Sequence, residues 1–372
     1  MSRSLRSPFP YVPLGPTELH TEPGPTWERL LADIAAAQDE VLIENYILVD
    51  GEAADALIDA LTEARDRGAS IRLLIDGAGS YQMSTKLRQR LQDVGALHIY
   101  HPLRLSSLLF RFRSRFMMRT HRRLILVDRK VGWTGGIAFE DPWWFAADSP
   151  FRETMIRFCG PAVAQAHQAF ESLWIGDAEL EQRKQSPLQA GQVRVMAQRA
   201  RQVNLLAHTL LARIGKAKKR IWIETAYFIP TRRLRRAFIH AAERGVDVRL
   251  LLPGPKLHDH PSVRFASRRY YAQLLRHGIR IYEFQPSFQH GKTAVFDDEF
   301  AIVGTPNLDR WSFLWNHEIA LDFQDPLLTG QLIDNHRAGY LRSIEITRES
   351  WKARPLWSRF LEYFFGIFDK GM

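Results

Sequence analysis

His121-Arg122-Arg123-Leu124-Ile125-Leu126-Val127-Asp128 and its echo, His290-Gly291-Lys292-Thr293-Ala294-Val295-Phe296-Asp297, decide how this chain is read. Both fit the spacing H-x-[K/R]-x-x-x-x-D. Each histidine opens a short apolar run that reads as a strand. At equal distances past the two histidines the copies align again, Gly135-Gly136-Ile137-Ala138 against Gly304-Thr305-Pro306-Asn307. One such segment has a plain explanation as a surface pair on a strand. Two at matched positions point to a single centre that uses both histidines.

Working outward, the repeat extends well beyond the motif. Val41-Leu42-Ile43-Glu44-Asn45-Tyr46-Ile47 matches Ile221-Trp222-Ile223-Glu224-Thr225-Ala226-Tyr227-Phe228. Helical patterns follow over 53–67 and 232–244. Each closes on Arg-Gly (Arg67-Gly68, Arg244-Gly245), where glycine suits a left-handed cap. Apolar strands come next at 71–76 and 246–252, then a second helix and the strands 98–100 and 280–282. This alternation predicts an α/β fold of two homologous halves, each a mixed, mostly parallel sheet flanked by helices, with one shared active site. The expected boundaries are an N-terminal extension over 1–24, a first half over 25–185, a linker over 186–200, a second half over 201–345 and an amphipathic tail over 346–372. Between the repeats lies a helix over 162–174, then the polar run 182–191, which is the best linker candidate.

The 372 residues, 45% hydrophobic, are enough for two cores, and the net charge of +10 favours anionic partners without choosing among them. The single cysteine, Cys159, excludes an intrachain disulfide and a zinc site with several Cys ligands, and reads as an inert buried thiol. No apolar run is long enough to span a bilayer, and the N-terminus lacks the apolar core of a secretory signal, so a soluble or peripheral protein is expected.

Side chains alternate along a strand, so His121 and Arg123 face one way, as do His290 and Lys292. An imidazole beside a cation suits a phosphate. One neutral imidazole can attack phosphorus while the other, protonated, gives its proton to the leaving alkoxide. Arg123, Lys292 and the Asn307 amide would hold the oxygens that gain charge. The scheme needs no metal and no cofactor. Glu153 and Glu318 follow the two motifs at similar distances and are the candidates for orienting the imidazoles. Asp128 and Asp297 complete the motif set. They end their strands and read as loop braces, as do Glu140 and Asp309 after the glycine segments. Trp143 and Trp144 either cap the site or sit in the core. Leu257-His258-Asp259-His260 reads as a loop rather than a metal ligand set, and Arg232, Arg233, Arg235 and Arg236 as a solvated or phosphate-facing surface.

These residues resemble the paired HKD motifs of the phospholipase D superfamily. Within it the chain is most similar to the short bacterial cardiolipin synthases without N-terminal membrane spans. The resemblance covers roughly 25–345 and includes Asp76-Gly77-Ala78-Gly79-Ser80, His101-Pro102-Leu103-Arg104, Tyr227-Phe228-Ile229-Pro230 and Asn307-Leu308-Asp309-Arg310. It implies two phospholipase-D-like halves around one site. It also implies transfer of a phosphatidyl group from phosphatidylglycerol, through a phosphohistidine, to an alcohol such as a second phosphatidylglycerol. Carried over, His121 is the nucleophile and His290 the general acid, then base; the reverse assignment stays open. The first motif departs from the family in Arg123, where the family has Lys, and Ala138, where it has Asn. Two alternatives follow: a phosphodiesterase hydrolysing phospholipid or nucleic acid, and an inactive lipid-binding member.

The expected partners are phosphatidylglycerol and an anionic membrane surface. Nucleic acid is disfavoured, and one chain suffices for a complete site. The expected location is peripheral, on the cytoplasmic face of a bacterial inner membrane. Two segments could reach lipid. The stretch before His121 mixes apolar anchors with arginines, including Arg111, Phe112, Arg113, Arg115 and Phe116. The tail places Trp357, Phe360, Leu361, Phe364, Phe365 and Phe368 largely on one helical face, to meet a membrane, the protein's own core or another subunit.

Overall fold

Two sheets with the same strand order carry the two histidine segments. The computed structural model describes residues 6–103, 117–145, 151–176, 178–184, 186–202, 205–255 and 260–367. The first strands in chain order are β1 (Arg6–Ser7), β2 (Val12–Pro13), β3 (Thr17–His20), β4 (Glu40–Asn45), β5 (Ser70–Asp76), β6 (Ala96–Tyr100), β7 (Arg119–Thr120), β8 (Leu124–Val127), β9 (Val131–Gly135), β10 (Phe151–Arg152) and β11 (Met155–Cys159). Then come β12 (Arg183–Lys184), β13 (Gln192–Gln198), β14 (Arg220–Glu224), β15 (Asp247–Pro253), β16 (Arg280–Phe284), β17 (Phe288–Gln289), β18 (Thr293–Phe296), β19 (Phe300–Gly304), β20 (Asn316–Gln324) and β21 (Ser343–Ile346). One sheet has the order β3-β11-β9-β8-β4-β5-β6. The other contains β13-β20-β19-β18-β14-β15-β16, with β2 and β21 added at its ends. The repeat seen in the sequence therefore extends to topology.

The two halves and their mixed sheets are as expected, but the parallel share is smaller. Among the described residues, only two ladders within each half are parallel, β4–β5–β6 and β14–β15–β16. The other ladders along the two strand orders are antiparallel. The reason is the length of the connections. Helices Glu52–Asp66 and Thr85–Val94 cross over between parallel strands, whereas β8 and β9 are joined by a short hairpin that can only reverse the chain. Asp128 and Arg129 sit in that hairpin with φ of 52° and 56°, and Asp297 matches with 55°. Gly68 and Gly245, with φ of 100° and 87°, supply the left-handed residues after their helices.

Two boundaries need correction. Residues 186–200 are not a linker throughout, because β13 is a buried strand that pairs with β20 and takes the place in the second sheet that β3 has in the first. Arg194 broke its apolar pattern in the sequence; in the fold it is fully buried and ion-paired to Asp322 at 3.0 Å. Nor does 1–24 merely extend the chain. β3 pairs with β11 in the first sheet, and β2 pairs with β13 in the second.

Both faces of each sheet are covered, which is why the central strands hold unbroken apolar runs at 41–43, 73–75, 221–223 and 250–252. On β4, Val41 and Ile43 pack under the outer helices of the first half, while Leu42 turns inward. The inward faces of both sheets meet one shared core. Leu42, Leu124 and Ile156 come from one side, Trp222, Val295 and Leu321 from the other, with helices Pro161–Trp174 and Pro326–Leu341 between them. The halves are thus fixed to each other by the same packing that builds each of them.

Candidate active site

Two short parallel ladders cross the seam between the halves, and they place the histidines. β7, just before His121, pairs with the first residues of β20, just before Glu318. β17, just before His290, pairs with β10, just before Glu153. The His121 N–H donates to the His317 carbonyl at 3.0 Å, and the His290 N–H to the Arg152 carbonyl at 2.8 Å. Each histidine is therefore strapped to the residue that precedes the other half's glutamate. His121 Nδ1 lies 3.0 Å from both carboxylate oxygens of Glu318, and His290 Nδ1 lies 2.5 Å from Glu153 Oε2. The glutamates expected to orient the imidazoles do stand against them, and they do so reciprocally across the seam. Gly136 allows this approach, since a Cβ there would fall 2.0 Å from Glu153 Oε2.

A cation stands beside each ring. Arg123 Nη1 is 3.1 Å from His121 Nε2, and Lys292 Nζ is 2.8 Å from both His290 Nδ1 and Nε2 while also donating to the His290 carbonyl. All four side chains are buried. Burial pushes the His121 imidazole below its ordinary value; Glu318 opposes this, and Arg123 and Lys292 reinforce it. Burial works to raise the Glu318 carboxyl, but His121 and the hydroxyls of Thr305 and Ser312 hold it below the usual range. Glu153 goes the other way: burial raises it, against Lys292, the Thr154 N–H and Arg123. An ionised carboxylate beside a neutral imidazole on one side thus faces a more proton-avid carboxyl on the other.

Asn307 is buried with its Oδ1 accepting from the Tyr227 N–H at 3.3 Å and the Thr225 hydroxyl at 3.4 Å, which fixes the amide's orientation. At the aligned position Ala138 is fully buried and offers only its carbonyl, which accepts from Trp144 Nε1 at 2.9 Å. Asp128 and Asp297 do not join the site. The Asp128 carboxylate collects the N–H groups of Gln38, Asp39 and Glu40, and Asp297 those of Lys218, Lys219 and Arg220. Asp309 accepts from the Ser312 N–H at 2.7 Å, and burial pushes its carboxyl up to about 7.

The structure adds aromatic residues to the set. Tyr46 meets His121 edge-on with ring centroids 5.1 Å apart, and the Arg123 guanidinium lies over the same ring. Trp143 stacks on Phe151 at 3.9 Å and meets His290 edge-on at 4.6 Å. Tyr46 and Tyr227 follow the matched strands β4 and β14, at the carboxyl ends where open α/β sheets place their sites. That position was the signal in the sequence. Nothing in the sequence marked Phe151.

Arg111, Phe112, Arg113, Arg115 and Phe116 lie outside the described residues, as do Leu257, His258, Asp259 and Phe368. The flanks of the arginine-rich stretch are tied together beside the site: His101 Nδ1 is 3.1 Å from the Met118 carbonyl, and Arg119 Nη2 donates to the His101 carbonyl at 2.9 Å. The tail helix Leu356–Ile367 docks on helix Pro261–Arg268. Glu362 bonds to Arg268 and Arg354, and Phe365 stacks on Phe265 at 6.0 Å. Its outer face leaves Leu356, Trp357, Phe360, Tyr363 and Phe364 exposed. Among the described residues no helix is long and apolar enough to cross a membrane, and no group of three or more His, Cys, Asp or Glu could hold a metal ion.

The family model described as "Cardiolipin synthase, PLD-like domain" matches residues 30–174 and 210–337. The protein named cardiolipin synthase A of Yersinia pseudotuberculosis serotype O:1b (strain IP 31758) is 29% identical over 370 residues, covering 95% of this chain and 74% of the relative. The cardiolipin synthase A of Yersinia pestis bv. Antiqua (strain Angola) matches to the same extent. Among solved structures, phosphatidylserine synthase of Haemophilus influenzae Rd KW20 superposes with a TM-score of 0.77 at 12% identity, covering 97% of this chain and 94% of that one. Polyphosphate kinase of Porphyromonas gingivalis does so with a TM-score of 0.58 at 17% identity, over 87% and 50%. At those identities the likeness concerns the fold.

Proposed function

The chain belongs to the cardiolipin synthase, PLD-like domain family, and on that premise we propose that it transfers a phosphatidyl group from phosphatidylglycerol to an alcohol, with a second phosphatidylglycerol as the natural acceptor. The observation that carries this reading is the reciprocal pair of His–Glu contacts, each with a cation beside the imidazole.

Neutral His121 attacks the phosphorus through Nε2 while Glu318 holds the proton on Nδ1 and steadies the imidazolium that forms. The bond from phosphorus to the glycerol oxygen breaks, and protonated His290 gives that oxygen its proton, so glycerol leaves. The phosphatidyl group is now on His121. His290, neutral, takes the proton of the acceptor hydroxyl. The acceptor oxygen attacks phosphorus, the P–N bond breaks, and both imidazoles return to their starting states. Arg123 and Lys292 stand where non-bridging oxygens gain charge. The aromatic wall of Trp143, Phe151 and Phe288 around His290 favours a lipid alcohol over water as the acceptor.

Both substrates keep their acyl chains in a bilayer, so the protein has to work at a membrane surface. The exposed aromatic face of the tail helix and the stretch from Arg111 to Phe116 are the proposed contacts, at the cytoplasmic face of a bacterial inner membrane. The test is to incubate the protein with phosphatidylglycerol vesicles and follow products by mass spectrometry. Cardiolipin with glycerol supports transfer. Phosphatidic acid alone means hydrolysis, and lipid binding without product means a binding protein.

A further inference from the structure

Behind the two histidines each half buries a glutamate at a strand end, and the two meet arginines from different places in the chain. Glu44 ends its run on β4 fully buried, accepts from the Thr120 hydroxyl and lies 3.8 Å from Arg122 Nη1. Glu224 ends β14, accepts from the Thr293 hydroxyl at 3.1 Å and is paired with Arg152 Nη2 at 2.6 Å. Arg122 is the middle residue of the first motif and belongs to the same half as Glu44. Arg152 belongs to the first half while Glu224 belongs to the second.

The exchange is position for position. The middle residue of the second motif is Gly291, and a Cβ built there would lie 3.2 Å from both Gln289 Nε2 and Glu224 Oε2. Position 291 thus stands beside Glu224, as Arg122 stands beside Glu44. The position equivalent to Arg152, the residue before the orienting glutamate, is His317. It is fully buried, holds the Tyr100 hydroxyl at 3.0 Å through Nε2, and is kept neutral by burial and by the nearby Arg122. Each glutamate therefore has one arginine. In the first half it comes from the motif, with a neutral residue across the seam. In the second it comes from across the seam, with glycine in the motif.

We propose that Arg152 is a positioning residue: its ion pair with Glu224 seats the segment Phe151-Arg152-Glu153 against the second half and thereby sets the contact between Glu153 and His290. Three bonds tie that residue down. Its carbonyl accepts the His290 and Gly291 N–H groups at 2.8 and 2.9 Å, and its guanidinium also donates to the Asn335 carbonyl at 2.9 Å. The neighbouring Glu153 carboxylate inherits that placement. The consequence is an asymmetry in the proposed reaction, since the acid–base histidine depends on a cross-seam charge pair and the nucleophile does not.

The inference rests on the proposed two-histidine reaction, and its test has a readout that needs no turnover. Arg152→His installs the residue found at the equivalent place in the other half. We expect kcat on phosphatidylglycerol vesicles to fall on the order of tenfold to a hundredfold with KM little changed, because a misplaced acid–base group costs turnover rather than binding. Arg152→Lys should recover part of the loss. Adding Gly291→Arg to Arg152→His rebuilds the first half's arrangement and should restore most of it. In parallel, the His290 imidazole is titrated by NMR in the full-length protein, with its signal identified by His290→Gln. Its pKa should shift in Arg152→His, because Glu153 is no longer held against it and Glu224 loses its counter-ion, and return in the double variant. An unchanged kcat and an unchanged His290 titration in folded Arg152→His would overturn the proposal, as would a double variant no better than the single. If Arg152→His does not fold, Arg152→Lys with and without Gly291→Arg carries the same comparison. If the wild-type protein turns over no phosphatidylglycerol, the reaction falls and the titration still decides the role of Arg152.

Discussion

Glu318 and Glu153 lie against the two histidines, so under the proposed reaction replacing them separates orientation from chemistry. Glu318→Gln keeps the shape but removes the anion beside His121. We expect kcat to fall roughly a hundredfold or more, as when the carboxylate of a triad is neutralised. The direction with pH follows from the same contact. His121 titrates below its ordinary value in the folded protein, so its neutral, attacking form persists as pH falls through 6.5 and is lost only below the lowered pKa. Removing the anion lowers that pKa further, so the acid limb of kcat/KM should shift to lower pH in Glu318→Gln even as the rate falls. A limb that moves to higher pH would contradict the assignment of His121 as nucleophile. His290→Ala should abolish turnover. The histidines, the cations and both glutamates were legible from matched positions in the sequence. The pairing of each glutamate with the other half's histidine was not, because it spans 197 and 137 residues and no local pattern encodes it. Arg123, unlike the usual Lys, still reaches His121 Nε2, so this departure preserves the cation beside the ring.

At the level of the element, apolar runs predicted the central strands well, since residues buried on both faces leave an unbroken hydrophobic signature. β13 escaped because Arg194 and Gln198 interrupt it, and only the tertiary fold supplies their partners, Asp322 for one and backbone groups for the other. The ladder directions were misjudged for a related reason: a strand's sequence does not reveal whether its neighbour arrives by a helix or by a hairpin. The tail helix has two faces, one seated by Glu362 and Phe365, the other aromatic and exposed. If the outer face meets lipid, Trp357→Ser with Phe360→Ser should reduce sedimentation with anionic vesicles severalfold while leaving turnover in detergent micelles intact. Replacing Arg111, Arg113 and Arg115 together by Ala should weaken vesicle binding more steeply at low salt than at high salt. Wild-type binding in both variants would remove these surfaces from the account.

For the whole molecule, the shared core joins what the sequence presented as two units. His336 is fully buried on helix Pro326–Leu341, whose Leu332 and Ile333 join that core, with Nε2 2.7 Å from the Thr293 hydroxyl. Burial pushes its imidazole down to about 4. A depressed pKa contributes stability that is whole above 6.5 and is lost as pH falls toward 4. The loss is about 3 kcal/mol by linkage. Urea unfolding between pH 7 and 4 should show it, and His336→Gln should flatten the dependence. The complete site within one chain gives a second expectation. Separately purified His121→Ala and His290→Ala proteins should remain inactive when mixed, and recovered activity would mean that chains share sites. The crossed glutamates have one more consequence. A hinge that parted the sheets would withdraw both carboxylates together, leaving the two histidines without their glutamates at once. Under the proposed reaction, lipid therefore reaches the histidines over the strand ends while the seam stays shut.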